Sequence, residues 1–333
     1  MKSNILSFNT TKKIIDDFTK RYFQYQDESN FNNKYIYKQF IFDKTKITFY
    51  TNKKNEYKCV IQGNNLENFI KQFSKELNYQ IENNQINQDN YKINELENKY
   101  TIGTDEVGVG DYFGGIVVCA VYTGPKLNKL LKSWGVDDSK KINDKNIHIM
   151  AKEIMAVAPY EKIYISNQQY NQLINKFNNS HIIKTIGHFQ VISQLKEEIM
   201  KRNWPIDKIV IDQFANIQSV KKYLQTINAN NYNLTNIELI EHAESKIVSV
   251  AAASILARHF FLIEIEKLSK KYLNDEILPL GAWNINIEKQ MLNLIEKNGI
   301  KNQIEFYRFF CNLVKLHFKN STKLIKMIEK KYN

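Results

Sequence analysis

The first eighty residues alternate between helix-like and strand-like patterns. Residues 10–22 carry apolar side chains at helical spacing behind a threonine that can cap a helix start. From Tyr35 to Gln62, runs rich in Tyr, Ile, Phe, Thr and Val are separated by the turn-like segments DKT and NKKN, which predicts a three-stranded meander. The segment NNLENFIKQFSKEL then returns to helical spacing. The pattern predicts a small α-β-β-β-α domain over residues 1–80.

The rest of the chain has a different pattern. Residues 81–98 are poor in apolar side chains and rich in Asn and Gln, so we predict a linker there. From residue 99 onward, helical segments alternate with five strand-like ones, TIGTDE, GIVVCAVY, YEKIYIS, DKIVID and TNIELIEH. SKIVSVAAASILARHFFLIEIEKL is apolar or small on most faces and should be the most buried helix. We predict an α/β (α+β) domain over residues 99–333, a mixed sheet flanked by helices.

Composition narrows the classes of function. The formal net charge of +12 makes a polyanion such as nucleic acid a natural partner, although Lys also belongs to a bias that enriches Asn and Ile. Cys59, Cys119 and Cys311 have neither paired nor CxxC spacing, which argues against a disulfide framework or a structural zinc site. No apolar run approaches the roughly 20 residues that span a bilayer, and the N-terminus lacks a secretory pattern. We expect a cytoplasmic protein without membrane contact.

Acidic residues stand at the ends of strand-like runs or at the start of a helix. Asp105 and Glu106 follow TIGT, Asp212 ends DKIVID, and Glu244 lies where EHAESK enters the buried helix. Taken singly, a solvated turn, a helix cap or a helix-dipole partner would explain each of them. Because adjacent strand residues point to opposite faces, Asp105 and Glu106 can share a site only if the strand ends or twists there. Together, the four carboxylates suit two Mg²⁺ ions at one edge of a sheet.

Glycines follow the acidic pair in YTIGTDEVGVGDYFGG, residues 100–115. Gly108 and Gly110 free the backbone to approach a ligand closely. The pattern matches neither the dinucleotide fingerprint GxGxxG nor the phosphate loop that ends in GK[ST].

Five motifs, in order, carry a resemblance to a known family: GTDEVGVGDYFGG, VDDSKK, IVIDQF, AESKIVSVAAASILAR and KLHFKN. They resemble those of bacterial type 3 ribonuclease H, also called ribonuclease HIII, over nearly the whole second domain. Glu244 in AESK stands where the related type 2 enzymes usually carry Asp. The first domain resembles, by architecture, the TATA-box-binding-protein-like domain that precedes the catalytic domain in this family.

The resemblance implies a ribonuclease H-like catalytic domain over residues 99–333 that hydrolyses the RNA strand of RNA/DNA hybrids. It also implies two divalent ions, Mg²⁺ or Mn²⁺, bound by the catalytic residues Asp105, Glu106, Asp212 and Glu244. The expected reaction is in-line attack by a metal-activated water, which leaves 5′-phosphate and 3′-hydroxyl ends. We expect residues 1–80 to bind the RNA/DNA hybrid duplex, and no obligate protein partner is evident.

Recognition of RNA requires a reader of the 2′-hydroxyl group. Backbone groups of Gly108, Val109 and Gly110 are our candidates for this substrate-binding role. The family usually has Thr in place of Val109 and Pro in place of Gly115. Backbone readout would survive both changes, whereas a contact through a Thr hydroxyl would not.

Basic residues near these motifs give further candidates. Ser139, Lys140 and Lys141 resemble the basic loop of the family and are candidates to hold substrate phosphates, with a solvated charge cluster as the alternative. In KLHFKN, Lys315 and Lys319 could touch the nucleic-acid backbone, although helix amphipathicity explains them equally well. His188 is left out of the site, because Phe follows it where the family has Asn.

Two other functions stay open from the sequence. One is type 2 activity, incision at a single ribonucleotide embedded in DNA, against which Glu244 and the extra N-terminal domain argue. The other is a noncatalytic nucleic-acid-binding relative, which the presence of all four carboxylates disfavours.

Overall fold

The chain divides into two compact units, Met1–Asn90 and Tyr91–Asn333. The computed structural model describes residues 5–27, 35–43, 45–52, 56–63, 69, 72–77, 95–136, 142–229, 232, 234–273, 276–282 and 284–332. Most of the predicted linker, residues 81–94, lies outside these described residues.

The first unit is a four-stranded antiparallel sheet with a helix packed on it. Its elements are β1 (Ile5–Thr10), α1 (Lys12–Tyr22), β2 (Ile36–Phe42), β3 (Thr45–Thr51) and β4 (Tyr57–Gly63), and the strand order is β1-β4-β3-β2. Ile15 and Phe18 of α1 are buried in the core formed with the sheet. The β2–β4 meander confirms the prediction. The sequence pattern missed β1, because this edge strand forms by pairing with the distant β4.

The segment predicted as the second helix of this unit is only partly described. Phe73 and Leu77 are buried in the core of the first unit, and the backbone N–H of Leu77 donates to the carbonyl of Phe73. Residues 64–68, 70 and 71 of that segment lie outside the described residues.

The second unit is built on a mixed five-stranded sheet of order β7-β6-β5-β8-β9. Strand β6 is antiparallel to both of its neighbours, whereas β5, β8 and β9 are parallel. The elements in chain order are β5 (Thr101–Val107), β6 (Ile116–Thr123), α2 (Pro125–Ser133), α3 (Asp144–Val157), β7 (Tyr160–Ile165), α4 (Asn167–Phe177), α5 (Ser180–Lys201), β8 (Lys208–Asp212), α6 (Ile217–Thr226), β9 (Ile237–Ile240), α7 (Val248–Leu273), α8 (Ile285–Lys297), α9 (Gln303–Phe310) and α10 (Lys319–Tyr332). The predicted mixed sheet with flanking helices is confirmed.

Helix α7 lies at the centre of this unit. It packs directly against β5, since a Cβ atom on Gly103 would lie 2.3 Å from the backbone of Ser249 and Val250. Contrary to the sequence-based expectation, α7 is long and apolar enough to cross a membrane, but 78% of its most apolar stretch is buried within the fold. Such burial is typical of the core helix of a globular domain.

The sheet separates two hydrophobic cores. On β6, Val117, Cys119 and Val121 pack into the core that contains α7, while Val118 and Ala120 pack into the core that contains α5. Because strand side chains alternate between the two faces, neighbouring residues of β5 also meet different helices. This alternation sets the surroundings of the acidic pair.

Candidate active site

Three distant segments deliver acidic residues to one edge of the sheet. The parallel pairing of β5 with β8 extends to Thr104 opposite Ile211, so Asp105 and Asp212 follow at the carboxyl ends of neighbouring strands. Strand β9 lies beside β8, and the chain then enters a short 3-10 helix, Ala243–Ser245, that carries Glu244. The predicted convergence of strand ends is therefore present in the fold.

The side chains of Asp212 and Glu244 lie next to each other. A side-chain hydrogen bond joins the two carboxyl groups, and the backbone N–H of Ala243 donates to Asp212 Oδ1 at 2.8 Å. Burial, together with the charge of Glu244, raises the pKa of Asp212 to about 6, although the Ala243 hydrogen bond opposes this rise. The two carboxyl groups therefore lie close enough for the charge of each to affect the protonation of the other.

Asp105 is buried on the face of the sheet that α7 covers. It is hydrogen-bonded to Ser254 of α7, and Asp105 Oδ1 accepts the backbone N–H of Glu106 at 2.7 Å. Burial raises the pKa of Asp105 well above its ordinary value, and the charges of Glu106 and Asp212 add to the rise. These hydrogen bonds lower the pKa only in part, so the net shift of the Asp105 pKa stays upward.

Glu106 faces α5 on the opposite side of the sheet. Glu106 Oε1 accepts a hydrogen bond from Lys184 Nζ at 2.8 Å, and Oε2 lies 2.8 Å from His188 Nε2. The other ring nitrogen of His188, Nδ1, lies 2.9 Å from the hydroxyl of Thr104. Burial raises the pKa of Glu106, but the hydrogen bonds and charges of His188 and Lys184 outweigh it and lower the pKa. Glu106 is therefore held as a carboxylate.

Strand β5 does not end between the two acids. It continues to Val107, which pairs with Val117 on β6. Asp105 and Glu106 nevertheless line one cavity of about 440 Å³, together with Asp212. We expected the two acids to share a site only if the strand ended or twisted there. The strand does not end between them, and both acids reach one cavity from opposite faces of the sheet.

The four acidic side chains offer the type of ligand atom that a hard divalent cation binds. Four carboxylates supply only oxygen ligands, which Mg²⁺ prefers and Mn²⁺ accepts. As the side chains stand, the described residues contain no group of three or more His, Cys, Asp or Glu at metal-binding spacing. Glu106 instead contacts Lys184 and His188, and the carboxyl group of Asp212 is hydrogen-bonded to that of Glu244. Burial, and then the charges of neighbouring carboxylates, raise the pKa values of Asp105 and Asp212, and a bound cation would favour their ionised forms.

The predicted substrate-binding backbone lies beside the carboxylates. Gly108, Val109 and Gly110 line the same cavity. Gly108 has a φ of +103°, and a Cβ atom there would lie 2.5 Å from the carbonyl oxygen of Gly115, so this position requires glycine. The Val109 side chain packs partly buried against the core under α5. Ser139, Lys140 and Lys141 lie outside the described residues.

The sequence analysis was wrong about Lys315. This side chain is fully buried, and its Nζ donates to the backbone carbonyls of Asp111 at 2.7 Å and Gly114 at 2.5 Å. Burial lowers the pKa of Lys315 to about 7. Its ammonium group fastens the glycine-rich loop and cannot reach a nucleic-acid backbone, whereas Lys319 is exposed.

Sequence reasoning missed several side chains around the carboxylates. Lys184 and His188 lie four residues apart on one face of α5, among residues that are mostly buried. The signal in the sequence that could have indicated them was a pair of charged or polar residues on a helix face that is otherwise mostly buried. Ser254 and Arg258 of α7 also line the cavity, where Arg258 makes a two-pronged ion pair with Asp144 at 3.1 and 3.2 Å.

Comparisons with known proteins agree with the fold. The family model described as Ribonuclease HII matches residues 102–321. A Ribonuclease HIII from Ureaplasma parvum serovar 3 is 32% identical over 97% of this chain and 99% of its own length. A Ribonuclease HIII from Streptococcus mutans serotype c is 34% identical over 82% of this chain and 84% of its own length.

Solved structures extend the likeness to both units. Bst-RNase HIII, whose crystal structure is described in complex with Mn²⁺, matches with a TM-score of 0.65 and 26% identity. The match covers 98% of this chain and 99% of that one. The family model matches most of the second unit, and the Ureaplasma Ribonuclease HIII matches 97% of the chain. The chain therefore belongs to the ribonuclease H family, in its ribonuclease HIII branch.

Proposed function

We propose that this chain hydrolyses the RNA strand of RNA/DNA hybrids with two divalent cations, Mg²⁺ or Mn²⁺, and leaves 5′-phosphate and 3′-hydroxyl ends. The observation that carries the proposal is that Asp105, Glu106 and Asp212 line one cavity at the sheet edge, with Glu244 hydrogen-bonded to Asp212. The ribonuclease H family depends on divalent metal, and the Mn²⁺ complex of Bst-RNase HIII supports the choice of ion.

The four carboxylates would hold the cations, which supply a nucleophilic water and stabilise the departing 3′ oxygen when bound. Asp105 and Asp212 are suited to this role because burial, and then the charges of neighbouring carboxylates, raise their pKa values, and a bound cation would stabilise both in their ionised form. Ser254 orients Asp105 through its hydrogen bond, and the backbone N–H of Ala243 fixes Asp212. These contacts hold the ligands in place before substrate arrives.

The glycine-rich loop would read the ribose. Gly108, Val109 and Gly110 offer backbone groups at the cavity, where a 2′-hydroxyl can donate and accept hydrogen bonds. Because Val109 packs its side chain toward the core, the reading would rest on backbone groups. Lys315 supports this loop from beneath through the carbonyls of Asp111 and Gly114.

The first unit would bind the duplex. It has its own buried core, so removing residues 1–80 deletes none of the buried residues described in the two cores of the second unit. We expect this deletion to raise the Kd for the hybrid more than it lowers kcat at saturating substrate, because the four carboxylates remain. Unchanged affinity, measured by fluorescence anisotropy on a labelled hybrid, would contradict a binding role for this unit.

The proposed activity is tested by a cleavage assay on an end-labelled RNA/DNA hybrid with Mg²⁺ and Mn²⁺ compared. The expected result is endonucleolytic cutting of the RNA strand that requires either ion and stops with EDTA. A duplex containing one ribonucleotide, assayed in parallel, distinguishes type 2 activity. Metal-independent binding without any cleavage would favour a noncatalytic relative instead.

A further inference from the structure

Each carboxylate oxygen of Glu106 already has a contact with a side chain of the protein. One carboxylate oxygen accepts from Lys184 Nζ, and the other lies 2.8 Å from His188 Nε2. Only 11% of the Glu106 side chain is exposed, so little room is left for water to replace either contact. A cation that approaches Glu106 therefore meets oxygens that these two groups already contact.

His188 is the less movable of the two. It is fully buried, its Nδ1 contacts the Thr104 hydroxyl at 2.9 Å, and its ring stacks on Phe214 with centroids 5.2 Å apart. Moving the imidazole would break contacts on every side of the ring. His188 is therefore expected to keep its hold on Glu106.

Lys184 is held by weaker constraints. Its ammonium group contacts Glu106 and lies 4.7 Å from the centroid of the Phe214 ring, and the flexible four-carbon stem can withdraw it. Its charge and hydrogen bond lower the pKa of Glu106, after the larger contributions of His188. A second positive charge at the same oxygen would be repelled by this ammonium.

We propose that Lys184 is a positioning residue that competes with a divalent cation for Glu106. With no cation bound, it neutralises and orients Glu106, which allows this buried carboxylate to fold in its charged form. When a metal ion binds, Lys184 would lose its hydrogen bond to Glu106 Oε1, while His188 would keep its contact with Oε2. This inference rests on the proposed function, because it assumes that the carboxylates bind metal.

The test is a titration of the full-length chain with Mn²⁺ alone at pH 7.5, in which isothermal titration calorimetry measures the affinity. Lys184→Gln removes the competing charge and should bind Mn²⁺ at least about fivefold more tightly than the wild type. Lys184→Arg keeps the charge and should stay within about twofold of the wild type. Lys196→Gln, an exposed position on the same helix, is the matched control and should leave the affinity unchanged.

A double-mutant cycle separates competition at Glu106 from general electrostatics. In the Glu106→Gln background, Lys184→Gln should cause no further tightening. Thermal melts verify folding, and Lys184→Met carries the same expectation if the glutamine variant is unstable. Equal or weaker Mn²⁺ affinity in a folded Lys184→Gln variant, or tightening that persists in the Glu106→Gln background, would overturn the inference alone. No Mn²⁺ binding by the wild type would overturn the proposed function as well.

Discussion

Asp105 and Glu106 are neighbours in the chain, yet the two faces of β5 give them opposite surroundings. On the α7 face, Asp105 has the neutral Ser254 as its partner, and burial and nearby carboxylates raise its pKa. On the α5 face, Lys184 and His188 lower the pKa of Glu106 in spite of burial. The comparison teaches that the α5 face supplies positive charge to its acid, whereas on the α7 face the pKa of the acid stays raised.

The largest effect is expected from neutralising the acid on the α7 face. Asp105→Asn should lower the rate of hybrid cleavage by more than about a hundredfold, because it removes a proposed metal-binding oxygen. The metal-free melting temperature at pH 7.5 should not fall, since Asn resembles the protonated form that burial favours. Single-turnover cleavage and thermal melts measure the two quantities.

Glu153→Gln is the control for that substitution, because Glu153 is an exposed carboxylate on α3. It should keep both the cleavage rate and the melting temperature of the wild type. Full activity of Asp105→Asn with Mg²⁺ would show that the α7 face needs no metal-binding carboxylate at this position.

A smaller effect is expected on the α5 face. His188→Gln removes the ring that fixes Glu106 and should lower kcat by about tenfold to a hundredfold, with a smaller change in KM. Thr104→Val removes only the hydroxyl behind that ring and should lower kcat less than His188→Gln does. Steady-state kinetics on a labelled hybrid compares the variants, and an unchanged kcat in folded His188→Gln would dismiss the positioning role of His188.

The smallest effect concerns the pH dependence of stability. The pKa of Asp212 rises from 3.8 to about 6 on folding, so the folded chain holds this proton more tightly than the unfolded chain. Its stabilising contribution is complete below about pH 4 and is lost as pH rises through about 6. The melting temperature in EDTA should therefore fall less over this range in Asp212→Asn than in the wild type. Identical pH profiles for the two proteins would refute this assignment.

The sequence predicted the parts of the site that local pattern and motif order can reveal. Asp105 and Asp212 follow apolar runs, and parallel strands bring such positions to one sheet edge. The partners of Glu106 were missed because they lie 78 and 82 residues away and meet it only through the packing of α5 on the sheet. The burial of Lys315 was missed for the same reason, since its acceptor carbonyls are 204 and 201 residues distant.

The measurement that tests the central claim most directly is anomalous diffraction from crystals of the full-length chain soaked in Mn²⁺. The account predicts anomalous peaks at the sheet edge, within about 2.0–2.6 Å of carboxylate oxygens that include those of Asp105 and Asp212. Well-occupied Mn²⁺ elsewhere in the molecule, with no peak at that edge, would contradict it.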